Sequence, residues 1–203
     1  MAEIATKVKF LEEGKKEFLD KGYKEASLRQ ICKNLDLTLG AFYGYFTSKE
    51  DLFHEIVSRP AEELLKYYKS THENYLSSNP EFQKNNLNEI PHRALRNMID
   101  FMFDYYEEFK LVFCKSAGTK YEDYLEEFIK TEVESTLRFI KTMKENHFFD
   151  VELDEQLIHI LSSMLMKGII EIFEHDMEYE HAVKYVLKLQ MFYTAGWMKL
   201  FEG

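Results

Sequence analysis

The chain has 203 residues, of which 45% are hydrophobic and 31% charged, with a formal net charge of -10. That is too apolar for a disordered polypeptide and long enough to bury a core without covalent staples. Eight glycines and three prolines are few for a turn-rich β-sandwich, and the two cysteines, Cys32 and Cys114, form neither a Cys-x-x-Cys pair nor a zinc pattern, so long helices and a reducing cytoplasm are expected.

In chain order, Ile4, Val8, Leu11, Phe18 and Leu19 give a helical apolar stripe that ends at Lys21-Gly22, a basic last turn followed by glycine. Met1 to Gly14 carries Glu3, Lys7, Lys9, Glu12 and Glu13 and has no apolar core of the kind a secretory signal needs. Ser27-Leu28-Arg29-Gln30 is a capping box, in which the Ser27 hydroxyl accepts the Gln30 amide and the Gln30 side chain reaches back. It opens a second helix whose apolar face is Leu28, Ile31, Cys32 and Leu35. After a break at Asp36-Leu37, Thr38 caps a short third helix running to about Phe46. Thr47 and Ser48, followed by the acids Glu50 and Asp51, start a long helix from Lys49 to about Leu76.

Pro60 lies inside that long helix, removes an amide donor and clashes with the Ile56 carbonyl, so a kink or break is expected near Arg59. That point is the natural domain joint, and the chain is divided into a head, 1–48, and a body, 49–203, joined by the long kinked helix. Ser77 to Pro91 reads as a loop, and helical patterns resume over His92 to Tyr106, Glu107 to Ser116, Lys120 to Asn146, Asp154 to Glu174 and Glu178 to Phe201. No strand alternation or internal repeat is found, and the fold class is all-α. The most apolar stretch, Leu157 to Phe173, is interrupted by His159, Lys167 and Glu171 and falls short of a bilayer span, so no membrane partner is expected.

The acidity belongs to one part of the chain. Met1 to Arg59 holds ten bases and ten acids, so the whole negative excess lies beyond Arg59. A neutral head with a basic face is compatible with contact to phosphate at one end only, because such attraction decays over about 8–10 Å.

Two short helices joined by a tight turn form a helix-turn-helix, which presents its second helix to the DNA major groove. Phe42 and Phe46, with Leu39 one turn earlier, share a face and should fix the third helix against the first two. Thr38, Tyr43, Tyr45 and Lys49 carry hydroxyls and an ammonium that can reach phosphate oxygens. Gly40 and Gly44 allow a close approach to the groove, and Ala41 or Leu39 could meet a thymine methyl. Arg29 and Gln30, opening the second helix, are the hydrogen-bonding candidates for base edges.

The run Gly22-Tyr23-Lys24-Glu25-Ala26-Ser27-Leu28-Arg29-Gln30-Ile31, followed by Leu37-Thr38-Leu39-Gly40-Ala41-Phe42-Tyr43-Gly44-Tyr45-Phe46-Thr47-Ser48-Lys49-Glu50-Asp51-Leu52, resembles the DNA-binding head of the tetracycline-repressor (TetR/AcrR) family over roughly Phe10 to Val57. The resemblance implies similar duties for Ser27, Thr38, Gly40, Tyr43, Tyr45 and Lys49. Two residues depart from the pattern. Asp36 stands where the family has its turn glycine, which the aspartate's tolerance of the left-handed region accommodates. Leu39 stands where lysine is frequent, which removes one phosphate contact and implies weaker binding or altered base preference.

In the body, Asp154 to Glu174 is apolar around more than half its circumference, and the last helix is apolar on two sides. One side holds Ala182, Tyr185, Val186, Leu189, Tyr193 and Trp197, the other Val183, Leu187, Met191, Thr194 and Met198. A second subunit is one candidate cover, full burial inside a monomer the other. The resemblance implies a two-fold four-helix interface, for which Leu161, Leu165, Gly168, Ile172, Val183, Leu187, Met191, Thr194 and Met198 are the candidates. It also implies a small-molecule effector site among the aromatic middle helices, with Phe101, Tyr105, Tyr124, Phe128, His159 and Met164 as candidate lining, although such residues also build plain core.

The seven histidines form no His-x-x-x-His or His-Glu-x-x-His element, and there is no phosphate loop or nucleophile elbow, so neither catalysis, metal nor cofactor is expected. His175 with Glu171 or Glu174 is a candidate cation site or solvated surface, and Cys114 beside Lys115 a reactive thiol or small buried residue. The expectation is a cytoplasmic homodimeric transcriptional regulator, a repressor that binds a palindromic double-stranded DNA operator and is released by a small-molecule effector. The alternative is an all-helical interaction module without DNA binding.

Overall fold

A computed structural model of the chain describes residues 2–202, so the outer limits of the expected domains, Met1 and Gly203, lie outside it. Every regular element among the described residues is helical: α1 (Ala2–Glu25), α2 (Leu28–Asn34), α3 (Leu39–Tyr43), α4 (Lys49–Leu76), α5 (Pro80–Asn85), α6 (Glu89–Asp104), α7 (Tyr106–Lys110), a π-helical turn (Leu111–Lys115), α8 (Tyr124–Glu145), α9 (Glu155–Glu174) and α10 (Tyr179–Glu202). The residues fall into two compact units, 1–63 with 105–124, and 64–104 with 125–203. Helix α4 supplies its residues up to 63 to the first unit and those from 64 to the second.

The first unit is built on phenylalanine. Phe10 and Phe18 of α1, Phe42, Phe46 and Phe53 are fully buried. Phe42 stacks on Phe46 with ring centroids 5.4 Å apart, and Phe10 meets Phe42 edge-on at 5.5 Å. Burying each such ring is worth about 2–3 kcal/mol. The expected α1 stripe is corrected here: Ile4 and Val8 are exposed, and the buried line runs through Phe10, Gly14 and Phe18 instead. Gly14 is required by packing, since a Cβ there would lie 2.7 Å from Leu52 Cδ2. At Gly22 (φ 74°, ψ 164°) the chain leaves helical geometry, as expected, and α1 is two helical pieces joined across a kink there.

Helix α4 is continuous through Pro60, so of the expected kink or break near Arg59 no break occurs. The lost amide bond is offset by burial along the helix, where Leu52, Phe53, Val57, Pro60, Ala61 and Leu64 are all covered. Its start is a capping box: Ser48 Oγ accepts the Asp51 amide at 3.0 Å, while the Asp51 carboxylate accepts the Thr47 amide at 2.7 Å and its hydroxyl at 3.0 Å.

In the second unit, α10 packs on α6 and α9. The expected loop from Ser77 to Pro91 contains α5, whose Asn79 side chain caps the Phe82 amide at 2.8 Å, and α6 begins at Glu89 with Pro91 in its first turn, where a missing amide costs little. Helix α9 has 20 residues and a window of mean hydropathy 1.4, so by length and composition it does reach the threshold for a bilayer span, contrary to the expectation. Ile158, Ser162, Met166, Ile169, Ile170, Ile172 and Phe173 are buried in the helical unit, whereas Leu157, Ile160 and Met164 are exposed.

Candidate functional site

The turn between α2 and α3 is closed at both ends by backbone geometry that the sequence dictates. The Ser27 hydroxyl accepts the Gln30 amide at 3.4 Å and the Thr38 hydroxyl accepts the Ala41 amide at 3.1 Å. Asp36 sits at φ 55°, and Leu37 N donates to Cys32 O at 2.9 Å while Asp36 N donates to Lys33 O at 3.2 Å. This is a Schellman closure with aspartate in the left-handed position. The reciprocal half of the expected capping box is different: buried Glu17 accepts the Ser27 amide at 3.0 Å, and the Gln30 side chain turns to Asn34 Oδ1 at 2.6 Å.

With Phe42 and Phe46 taken into the core, the opposite side of α3 faces outward. Thr38, Gly40, Tyr43 and Gly44 are exposed, Tyr43 by 58%, as is Arg29 at the start of α2; Leu39, Ala41, Gln30, Ser27 and Tyr45 are half-buried. Gly40 has open space around it, with only Thr38 Oγ1, 3.6 Å away, near the position of a Cβ. Nothing inside the chain therefore requires a glycine there.

Lys49 is the exception to the expected phosphate contacts. Its Nζ donates to three carbonyls at the end of α1, Tyr23 O at 2.6 Å, Lys24 O at 3.1 Å and Ala26 O at 3.0 Å, and lies 4.5 Å from the centroid of the Tyr23 ring. Burial pushes its pKa down, opposed by Glu25. The unsatisfied carbonyls and negative dipole end of α1 attract the ammonium more directly than solvent does. Lys49 is thus a clamp between α1 and α4. Sequence reasoning missed its partner Tyr23, and missed Glu17 as the partner of Ser27.

The second unit encloses a cavity of about 210 Å³. Helix α4 lines it with Tyr68, Thr71, His72, Tyr75 and Leu76, α6 with Leu95 and Met98, α8 with Glu132, Ser135 and Phe139, and α9 and α10 with Met166, Ile169, Gln190, Tyr193 and Trp197. Glu132 Oε2 accepts the Tyr68 hydroxyl and lies 3.3 Å from His72 Nε2. Burial works against the charge on Glu132, but His72 and Tyr68 outweigh it, and its pKa falls below the usual carboxylate value. Burial also raises the Tyr75 hydroxyl, which donates to Gln83 O at 2.6 Å.

Residues 10–56 match the family model of bacterial regulatory proteins, tetR family. The similarity to that family is thus carried by the helix-turn-helix segment. Solved structures share its fold over nearly the whole length. A TetR-family protein from Syntrophomonas wolfei is 20% identical, with TM-score 0.56 over 94% of this chain and 95% of that one. The TetR-family regulator PfmR from Thermus thermophilus is 18% identical, with TM-score 0.55 over 92% of this chain and 97% of that one. The fatty acid degradation regulator FadR from Bacillus halodurans is 15% identical, with TM-score 0.55 over 94% of this chain and 95% of that one. No match was found among curated proteins. The matched segment contains α2 and α3, which form the helix-turn-helix.

The cavity is lined by other residues than those expected for an effector site. None of the six candidate lining residues borders the cavity. Tyr105 accepts from the Arg59 guanidinium at 2.6 Å, and Tyr124 is buried and donates to Ala61 O at 2.7 Å, both within the first unit. Phe128 is core against Tyr68, Phe101 is half-buried on α6, and His159 and Met164 lie on the exposed side of α9. Aromatic content marked the core, whereas the cavity lies where the facing side chains of five helices fail to meet. Of the expected interface residues, Leu165, Thr194 and Met198 line that cavity, and Ile172 and Val183 are buried within the chain. Gly168 lies against Leu189 of α10, where a Cβ would come within 2.9 Å, and Leu161 and Leu187 are half-buried. Met191 alone is fully on the outside, beside Phe192, and α9 exposes Leu157, Ile160 and Met164. His175 pairs with Glu171 at 2.8 Å, and no group of three metal-ligating residues occurs among the described residues.

Proposed function

We propose that this DNA-binding regulator acts in the cytoplasm as a homodimeric repressor, holding a palindromic operator with α2 and α3 and releasing it when a small apolar effector occupies the cavity. The observation that carries the DNA reading is the division of α3: Phe42 and Phe46 are core, while Thr38, Gly40, Tyr43 and Gly44 are turned out with Arg29. Hydroxyls and a guanidinium on a bare helix face suit phosphate and base edges, and two glycines permit close approach.

The apolar outer residues of α9 and α10, Phe192 at 74% exposure and Met191, Ile160 and Met164 with it, support a second copy as their cover, since such a surface is costly in water. Two copies would set two α3 helices on half-sites of a near-palindrome. Helix α4 supports the effector reading: it carries Lys49, clamped to the end of α1, and also Tyr68, His72 and Tyr75, which border the cavity. An effector that favours one setting of this helix would shift the population of DNA-competent dimers.

The test is selection of duplexes from a random pool by the full-length protein. The proposal expects an inverted repeat; recovery of no enriched duplex would contradict it and favour an interaction module.

A further inference from the structure

The cavity combines apolar walls with a polar cluster of Glu132, His72 and Tyr68. Among the described residues that line it there is no Lys or Arg, and Glu132 is its one carboxylate. Both contacts of that carboxylate, to Tyr68 and His72, fall on Oε2, which leaves Oε1 outside them; an ionised carboxylate offers about four acceptor sites. Gln190, buried and also lining the cavity, has an Oε1 with no hydrogen-bond partner. A buried acceptor without a donor is costly, and a ligand that donates relieves it. Tyr68, Tyr193 and Trp197 are aromatic members of the lining, and aromatic rings are compatible with a cation.

We propose that the cavity binds a lipophilic amine, a compact apolar molecule whose protonated amino group takes Glu132 as its counter-charge, with Gln190 Oε1 as a further acceptor. The apolar part lies against Met98, Phe139 and Trp197. An apolar carboxylic acid is disfavoured: it would meet Glu132 as a like charge, the lining has no Lys or Arg, and the His72 imidazole is already paired with Glu132. The downward pKa of Glu132 agrees with a carboxylate that stays charged in this setting. The assignment rests on the effector reading of the cavity and names the chemical class of its ligand.

The chain holds one tryptophan, Trp197, at the cavity wall, so its fluorescence reports occupancy without DNA. The full-length protein is titrated at neutral pH with octylamine, octanol and octanoate. Octylamine should bind about tenfold or more tighter than octanoate, a difference of about 1.4 kcal/mol. Glu132→Gln should lower octylamine affinity about tenfold and leave octanol within about twofold, octanol binding serving as the check that the variant is folded. Octanoate binding as tightly as octylamine, or no saturable signal from any of the three, overturns the assignment, and the wild-type series decides this even if the variant does not fold. Operator affinity measured with the same compounds separates the two claims. Octylamine that binds without loosening DNA contradicts the effector reading alone, whereas octanoate that binds and releases DNA contradicts the amine assignment alone.

Discussion

The ammonium of Lys49 lies 4.5 Å from the ring centroid of Tyr23 and 2.6 Å from the carbonyl oxygen of the same residue. One side chain therefore closes the carbonyl end of α1 and fixes the start of α4. Lys49→Met keeps the stem and removes the three donated bonds, and should cost about 1–3 kcal/mol of stability, read as a fall in denaturation midpoint. A variant as stable as the parent would return Lys49 to the role of a solvent-facing phosphate contact.

Gly40 separates a structural role from a DNA role. The space around its Cβ position is open, and alanine is the better helix former by up to about 1 kcal/mol, so Gly40→Ala should melt at the same temperature or slightly higher. Its DNA affinity should fall by about tenfold, because the added methyl stands between helix and groove. A variant that is both stable and fully competent for DNA would show that α3 does not approach the groove at this residue.

Phe192→Glu places a charge on the exposed apolar side of α10. Light scattering should give a dimer for the parent and a monomer for the variant, with circular dichroism unchanged. A monomeric parent would remove the second copy from the account.

The Asp51 carboxylate is held below its ordinary value by the Thr47 amide and, against some burial, by the Thr47 hydroxyl and nearby His54 and Lys7. A depressed folded pKa means that the unfolded chain binds the proton first as pH falls, so the stabilisation is complete above the unfolded value near 3.8 and is lost as pH drops through the folded one. Thermal midpoints followed from pH 6 to pH 3 should fall on the acid side, and Asp51→Asn should flatten that fall. Parallel curves for parent and variant would contradict the assignment.

The two caps of the helix-turn-helix were legible because Ser27 and Thr38 act on amides three residues away, a distance the sequence displays directly. The left-handed Asp36 was legible from the resemblance, in which it stands at the turn glycine, and from the tolerance of aspartate for that region. Lys49 was not, since its partners lie 23 to 26 residues earlier and only the packing of α1 beside α4 brings them to it. The pull of Pro60 toward a break was real but local, and burial along α4 outweighed it. The cavity was the least legible feature. Glu132 and Gln190 look like ordinary polar positions on their own helices, and their meaning comes from the space between elements.

The central claim, that the outward side of α3 holds DNA, is tested most directly by the affinity of the selected duplex for the parent and for the double variant Arg29→Ala with Tyr43→Ala, both at exposed positions. The account predicts parent binding that weakens steeply with salt, and a variant that is folded, weaker by about a hundredfold, and less salt-dependent. Equal affinity and equal salt slope for the two proteins would contradict it.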